Sequence, residues 1–303
     1  MSNTYKILLY YKYVSLADPE ALKVQQKDLC TSLNLNGRIL ISHEGINGTV
    51  AGLENEINEY METTSSLPEF NDMEWKISWA AEQVFPKLRV LVRDEIVTLG
   101  VRKSGSDVNI ANKAQYIEPH ELQQLYDHNK EFVIIDARNG YEAEVGKFKN
   151  AVIAPIENFR DFPAFVKRLD QFKDKEVITY CTGGVRCEKA SAYLREQGFQ
   201  NVRQLHGGIH EYGEQTGGKY FEGEMFVFDK RLHVPVNTVD PSIISHCVYC
   251  QVPITRYIDC TVENCVELFI CCSECEANYQ GRCLGHADEL TSSSAATHST
   301  TSP

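Results

Sequence analysis

The sequence predicts an α/β protein in three parts: an N-terminal α+β unit, a central open parallel α/β sheet, and a small C-terminal cysteine-rich metal-binding region. Three observations carry that expectation. Strand-like and helix-like stretches at the start follow the order β-α-β-β-α-β. In the middle, apolar runs such as Val133-Ile134-Ile135 and Val177-Ile178-Thr179-Tyr180 alternate with helical stretches, as in a parallel sheet covered on both faces. Eight of the eleven cysteines then crowd between Cys247 and Cys283.

The N-terminal elements follow from local signals. Tyr5 to Val14 reads as a strand. Asp18-Pro19-Glu20 is a helix start, with Asp as cap and Pro in the first turn. Leu22, Gln25, Leu29 and Leu33 then recur at helical spacing. Asn36-Gly37 is an expected turn, Arg38 to Ser42 a strand, and Thr49 to Gly52 another. Leu53 to Thr64 reads as a helix and Trp75 to Ala80 as a strand. This order is that of a ferredoxin-like domain, and Cys30 on its first helix is expected in the core. The Gly-punctuated connection from His43 to Gly48 has two readings. It is a hairpin link, or a polar loop whose His43 and Asn47 line a site.

A segment with Lys87, Arg89 and Arg93 follows. From Val84 to Gln115 there are six basic residues, the others being Arg102, Lys103 and Lys113, against Asp94, Glu95 and Asp107. The local excess of three positive charges opposes the net charge of −12 for the whole chain. It is either a solvated connector or a basic surface, with Lys87 and Arg89 as candidate substrate contacts. A second domain opens near Gln115. Glu118-Pro119 leads a helix through Tyr126, Phe132 to Asp136 is a strand, and Ala151 to Ala154 is a short strand. Phe162 to Leu169 reads as helix, and Val202 to Leu205 closes the domain before His206-Gly207-Gly208.

The stretch that concentrates chemistry is Cys181-Thr182-Gly183-Gly184-Val185-Arg186-Cys187. It lies between the strand Val177–Tyr180 and a helix expected from Glu188 to Gln197. Adjacent glycines let backbone N–H groups converge on one spot, so Gly183 and Gly184 are candidate substrate-binding positions. The helix start and Arg186 add positive charge, which favours thiolate over thiol at Cys181. Cys181 is therefore the candidate nucleophile and Arg186 its catalytic partner. Cys187 is either a resolving thiol for an oxidised Cys181 or simply a small residue at the helix start.

Cys247-x2-Cys250 and Cys272-x2-Cys275 have the spacing of paired knuckles that close a tetrahedral thiolate site, so zinc is the expected ion. Cys260, Cys265, Cys283 and His286 offer material for a second site, with Cys271 left spare. The Ser/Thr/Ala-rich end, 291–303, is expected to be disordered. The expected divisions are 1–108 (ferredoxin-like, acylphosphatase-like, with connector), 109–222, 223–290 and the tail.

Bulk composition narrows the function. A net charge of −12 argues against broad nonspecific binding of nucleic acid. No apolar run approaches the ~20 residues of a membrane span, and the start lacks a signal-peptide pattern. A cytoplasmic location follows, where eleven cysteines point to catalysis or metal rather than disulfides. No flavin or nicotinamide fingerprint follows a first strand, and no iron triad is evident, so no organic cofactor is expected.

The segment from Tyr116 to Glu214 resembles a rhodanese domain. The resemblance rests on Val133-Ile134-Ile135-Asp136-Ala137-Arg138, the loop Cys181 to Arg186, and Leu205-His206-Gly207-Gly208-Ile209. Four residues separate Cys181 from Arg186, as in the sulfur-transferring type; related phosphatases have one more. With Ser42-His43-Glu44-Gly45-Ile46-Asn47-Gly48-Thr49 and the cysteine-rich end, nearly the whole chain resembles the bacterial tRNA uridine(34) hydroxylase family. That resemblance implies an oxidoreductase of tRNA modification. It implies molecular oxygen as co-substrate, the tRNA anticodon loop as partner, 5-hydroxyuridine as product, and Cys181 as the essential cysteine. Two other readings stay open: a sulfurtransferase carrying a persulfide on Cys181, and a noncatalytic interaction module.

Overall fold

The computed structural model describes residues 4–101 and 108–287. Arg102, Lys103 and the tail expected to be disordered lie outside the described residues.

The N-terminal sheet contains β1 (Tyr5–Tyr13), β2 (Asn36–Ser42), β3 (Gly45–Leu53) and β4 (Trp75–Ala80), with α1 (Pro19–Ser32) and α2 (Glu54–Ser65) on one face. Asp18 caps α1 by accepting the Ala21 N–H. The strand order is β4-β1-β3-β2, and every neighbouring pair among these four is antiparallel. Alternate residues Leu8, Tyr10, Ile39, Ile41 and Val50 pack with Ile57 and Tyr60 in the core, and Cys30 is buried among them.

Two local expectations shift. Asn36-Gly37 belongs to β2 rather than to a turn, and β3 already begins at Gly45. The connection shrinks to His43-Glu44, and Asn47 sits within a central strand. Gly48 is a packing device rather than a chain breaker: a Cβ there would lie 2.4 Å from the Tyr10 ring.

The stretch from Leu88 is not a free connector at its start. β5 (Leu88–Val92) adds to the sheet edge, parallel to β2, because Val90 finds the same core. Its register places Arg89 beside Arg38. The helix-free face of the sheet thus presents Leu9 and Tyr11, Asn47 and Thr49, then Arg38 and Arg89.

The central sheet is parallel throughout, in the order β6 (Gln115–Ile117), β11 (Asn201–Leu205), β10 (Glu176–Tyr180), β7 (Val133–Asp136), β9 (Val152–Ile153). Between the strands run α3 (Pro119–Asp127), α4 (Gly140–Val145), β8 (Gly146–Phe148), α5 (Phe162–Val166) and α6 (Val185–Glu196), with α7 (Gly208–Thr216) after β11. On β10, Val177 faces one apolar layer with Phe162 and Leu194, while Ile178 and Tyr180 face the other with Ile134 and Ile209. Burial on both faces is why the strand has no apolar–polar alternation. α6 begins three residues earlier than expected, so Arg186 and Cys187 lie in its first turn.

β12 (Phe221–Phe226) pairs with β8 and β13 (His233–Pro235), and so crosses the expected junction at 222/223. The cysteine-rich part holds a ribbon of β14 (Tyr257–Asp259) and β15 (Leu268–Ile270), then α8 (Ser273–Asn278). No helix among the described residues is long and apolar enough to cross a membrane.

Candidate active site and metal centres

The fold sets Cys181 at the carboxyl end of the central strand, where open α/β sheets place their reactive groups. Its side chain is fully buried. The Gly184 N–H donates to the Cys181 sulfur at 3.1 Å. Gly184 caps α6 with φ of 104°, a conformation that glycine adopts without a Cβ clash. From the other side, the Ile209 and His210 amides at the start of α7 donate to the Cys181 and Thr182 carbonyls, at 3.0 and 3.1 Å.

These surroundings decide the ionisation of Cys181. Burial opposes the thiolate. A hydrogen bond from the Cys187 thiol, the Arg186 guanidinium, and the Arg186 and Gly184 amides outweigh burial and bring the pKa down to about 6. Cys187 moves the other way: burial and the neighbouring Cys181 charge push it well above the ordinary thiol range. Cys181 thus favours the thiolate and Cys187 the thiol.

Arg186 is held by a residue that the sequence reading did not single out. Its two terminal nitrogens donate to the two carboxylate oxygens of buried Glu142, at 2.6 and 2.8 Å. Glu142 comes from α4, whose start it also closes by accepting the Asn139 N–H. The pattern Asn139-x-x-Glu142 is a capping box and was the available signal. Below it, Asp136 binds the buried Arg138 guanidinium and accepts from the Tyr180 hydroxyl at 2.6 Å.

The N-terminal sheet closes over this loop with its helix-free face. A Cβ on Gly183 would lie 2.7 Å from Leu9, so β1 touches the loop directly. The Tyr11 hydroxyl donates to Glu188 at 3.2 Å, and the Tyr13 hydroxyl to the Val185 carbonyl at 3.1 Å. Lys189 is buried between Glu44 at 2.8 Å and Glu95 at 2.6 Å. Glu44 of the His43–Gly48 segment is therefore a clamp on the reactive helix.

Between the two sheets lies a cleft of roughly 840 Å³. Cys181, Gly183, Arg186 and Asn47 line it. The Asn47 amide donates to the Ile96 carbonyl. His43 stands apart, exposed on its turn with Nδ1 2.9 Å from the Leu16 carbonyl. Lys87 and Arg89 are exposed on the edge strand and its approach, outside the cleft lining. The basic groups that do line it are Arg38, Arg93, Arg160 and Lys230, and none forms a salt bridge among the described residues. Arg38, Arg160 and Lys230 were not singled out in sequence, because they are single charges from three separate segments. Phe228 at the cleft is 61% exposed, unusual for a phenylalanine. A second cleft of roughly 610 Å³ adjoins the first, and Leu9, Thr49, Phe85, Thr182, Phe228 and Asp229 line both.

The cysteine-rich part assembles two tetrads able to hold a metal ion. Cys247, Cys250, Cys272 and Cys275 form one, and Cys260, Cys265, Cys283 and His286 the other. In each, the four ligand atoms lie within 4.8 Å of one another. All eleven cysteines are free, and Cys271 is buried outside both tetrads, its thiol donating to the Cys272 carbonyl.

Comparison with known proteins adds three family matches. Residues 5–96 match the UPF0176 acylphosphatase like domain, 118–215 the rhodanese-like domain, and 222–287 the rhodanase C-terminal model. The chain is 44% identical to a tRNA uridine(34) hydroxylase of Cytophaga hutchinsonii, over 92% of this chain and 88% of that one. It is 43% identical to one from Corynebacterium efficiens, over 93% of each chain. A third, from Acholeplasma laidlawii, is 42% identical over 93% of this chain and 89% of that one.

Proposed function

Because the chain belongs to the tRNA uridine(34) hydroxylase family, we propose that it is the enzyme that hydroxylates uridine-34 of tRNA to 5-hydroxyuridine, with Cys181 as the reacting group. The observation that carries this reading is a buried thiol with its pKa lowered to about 6, opening onto a cleft lined by Arg38, Arg93, Arg160 and Lys230, which form no salt bridge among the described residues.

The chemistry follows from uracil. Its C6 is electrophilic and its C5 is not. The Cys181 thiolate adds to C6, and C5 then becomes nucleophilic and meets the oxidant. Molecular oxygen is the proposed co-substrate. One oxygen atom enters at C5 and the other leaves as water, which consumes two electrons and two protons beyond those from the C–H bond. Elimination of Cys181 from C6 leaves a C5 hydroperoxide; the freed Cys181 thiolate takes its distal oxygen as a sulfenic acid, and a solvent proton converts the remaining 5-oxyanion to the hydroxyl. The Cys187 thiol then displaces that oxygen as water, so the pair supplies two electrons and one proton as it becomes a disulfide, and a cellular dithiol reduces it. Arg186 and the α6 amides stabilise the sulfur anion when uracil departs.

Substrate recognition falls to the cleft. An anticodon-loop base must be splayed out to reach a buried sulfur. Phe228 offers it a stacking face, Asn47 and Gly183 line its path, and Arg38, Arg93, Arg160 and Lys230 meet its phosphates. Lys87 and Arg89 extend that basic row outward along β5, and Gly184 contributes its amide to the sulfur. His43 acts by position, tying its turn to Leu16 while neighbouring Glu44 clamps α6. Zinc at Cys247, Cys250, Cys272 and Cys275 is structural, since four thiolates leave no open position. The location is cytoplasmic, where such thiols stay reduced.

Persulfide transfer is the second reading, favoured by the four-residue spacing from Cys181 to Arg186. Nucleoside analysis of tRNA from cells lacking the protein separates the two. Loss of 5-hydroxyuridine derivatives is expected. Loss of a thiolated nucleoside instead would establish the sulfurtransferase.

A further inference from the structure

We propose that Cys260, Cys265, Cys283 and His286 bind a second zinc ion, and that the two zinc sites interlock to form the framework of the C-terminal region. This is independent of the catalytic reading.

Geometry supports it first. A tetrahedral zinc with Zn–S near 2.3 Å and Zn–N near 2.0–2.1 Å sets S···S edges of roughly 3.8 Å and S···N edges of roughly 3.6 Å. In the second tetrad, Cys265 and Cys283 sulfurs are 4.0 Å apart, and Cys260 sulfur lies 3.7 Å from His286 Nδ1. Cys283 sulfur is 3.1 Å from the same nitrogen, and the Cys283 N–H donates to Cys260 sulfur at 3.4 Å. The first tetrad shows the same dimensions, with Cys250 and Cys272 sulfurs 3.7 Å apart and the Cys275 N–H donating to Cys272 sulfur at 3.4 Å. Such amide bonds stabilise the thiolate form. A set of three thiolates and one imidazole at single-ion spacing suits zinc.

Chain order supports it second. The tetrads are interleaved: Cys247 and Cys250 belong to the first, Cys260 and Cys265 to the second, Cys272 and Cys275 to the first, Cys283 and His286 to the second. Cys260 and Cys265 sit on the loop joining β14 to β15, and α8 carries the chain from the first site toward the second. Neither ion can be lost without freeing a segment that the other needs.

Energetics supplies the need. The cluster around the tetrads buries five cysteines and Phe269, with Val248, Ile254 and Ile258 only partly buried, while the buried Tyr257 and Ile270 pack against Val145 and Phe226 outside it, so its own hydrocarbon core is small. A two-stranded ribbon is marginal alone, and metal binding is then folding energy. The framework also reaches the active site. The Tyr257 hydroxyl, three residues before Cys260, donates to the Tyr141 carbonyl at 2.6 Å, next to Glu142.

The test is metal content of the full-length chain, expressed with zinc and purified without chelator. Two zinc ions per chain are expected, falling to one or fewer in His286→Ala and Cys265→Ser. One zinc per native chain, two retained in both variants, or iron in place of zinc would overturn the proposal. Should the variants fail to fold, cadmium-113 NMR of the exchanged native protein decides. Two resonances are expected, one in the four-thiolate range and one shifted as an imidazole replaces a thiolate. A single resonance would overturn it.

Discussion

Arg186 and Glu142 meet through two hydrogen bonds of 2.6 and 2.8 Å beneath the reactive loop, and Glu142 has no solvent exposure. The arginine beside Cys181 is thus a paired charge rather than a free one. It acts on the sulfur through the nearness of its guanidinium, while Glu142 fixes where that guanidinium sits. Removing one member leaves the other charged and buried, at a cost of about 3–5 kcal/mol. Glu142→Gln is therefore expected to lower the denaturation midpoint strongly and to slow modification. Unchanged stability in urea titration would show that the pair is not structural.

Cys181→Ser is expected to abolish tRNA modification with the fold intact, because serine is nearly isosteric but does not ionise. Circular dichroism and nucleoside analysis on the same protein check both halves.

The ionisation of Cys181 predicts a pH profile. Alkylation by a small reagent requires thiolate, so its rate should rise through pH of about 6 and level off above it. In the unfolded chain the same rise is expected near ~8.5. The folded pKa is depressed. Its contribution to stability is complete above the unfolded pKa and is lost as pH falls toward about 6. A folded-state midpoint near that of free cysteine would remove the electrostatic basis of the site.

Lys189 holds Glu44 and Glu95 onto α6, the helix that follows the Cys181 loop. Lys189→Met leaves two partly buried carboxylates without their cation. Faster hydrogen exchange is expected at Ile96 and in the Glu44 turn, with Cys181 alkylation preserved and tRNA modification reduced at least tenfold. Equal exchange would mean that the Lys189 ion pairs do not hold the two domains together.

The basic edge of the cleft predicts a salt dependence. Each phosphate-binding side chain removed should flatten the slope of log binding against log salt by about one unit. Arg38→Glu with Arg93→Glu is expected to weaken tRNA binding more than Lys87→Glu with Arg89→Glu, since only the first pair lines the cleft. Zinc content should not change in either. Equal effects would place the RNA on the outer edge of β5.

Much of this protein was legible in its sequence because the signals are local. The Asp18 cap, the two-face burial of Val177 to Tyr180, the glycine loop after Cys181 and the paired Cys-x2-Cys knuckles each act over a few residues. What the sequence could not order was distance between segments. Glu142 and Arg186 are 44 positions apart, and Glu44 and Lys189 are 145 apart. Asn47 and Gly48 read as loop residues until strand pairing on both sides placed them in a sheet. Arg38 gained meaning only when β5 paired with β2, and Cys260, Cys265, Cys283 and His286, named in sequence as material for a second site, became a single tetrad only when the ribbon brought them together. By itself the sequence determined the elements and singled out the candidate nucleophile and the paired Cys-x2-Cys knuckles, since caps, periodicity and ligand spacing are written within one turn or strand. Tertiary structure alone decided which charges meet, because ion pairing and coordination depend on separations in space that chain separation does not encode.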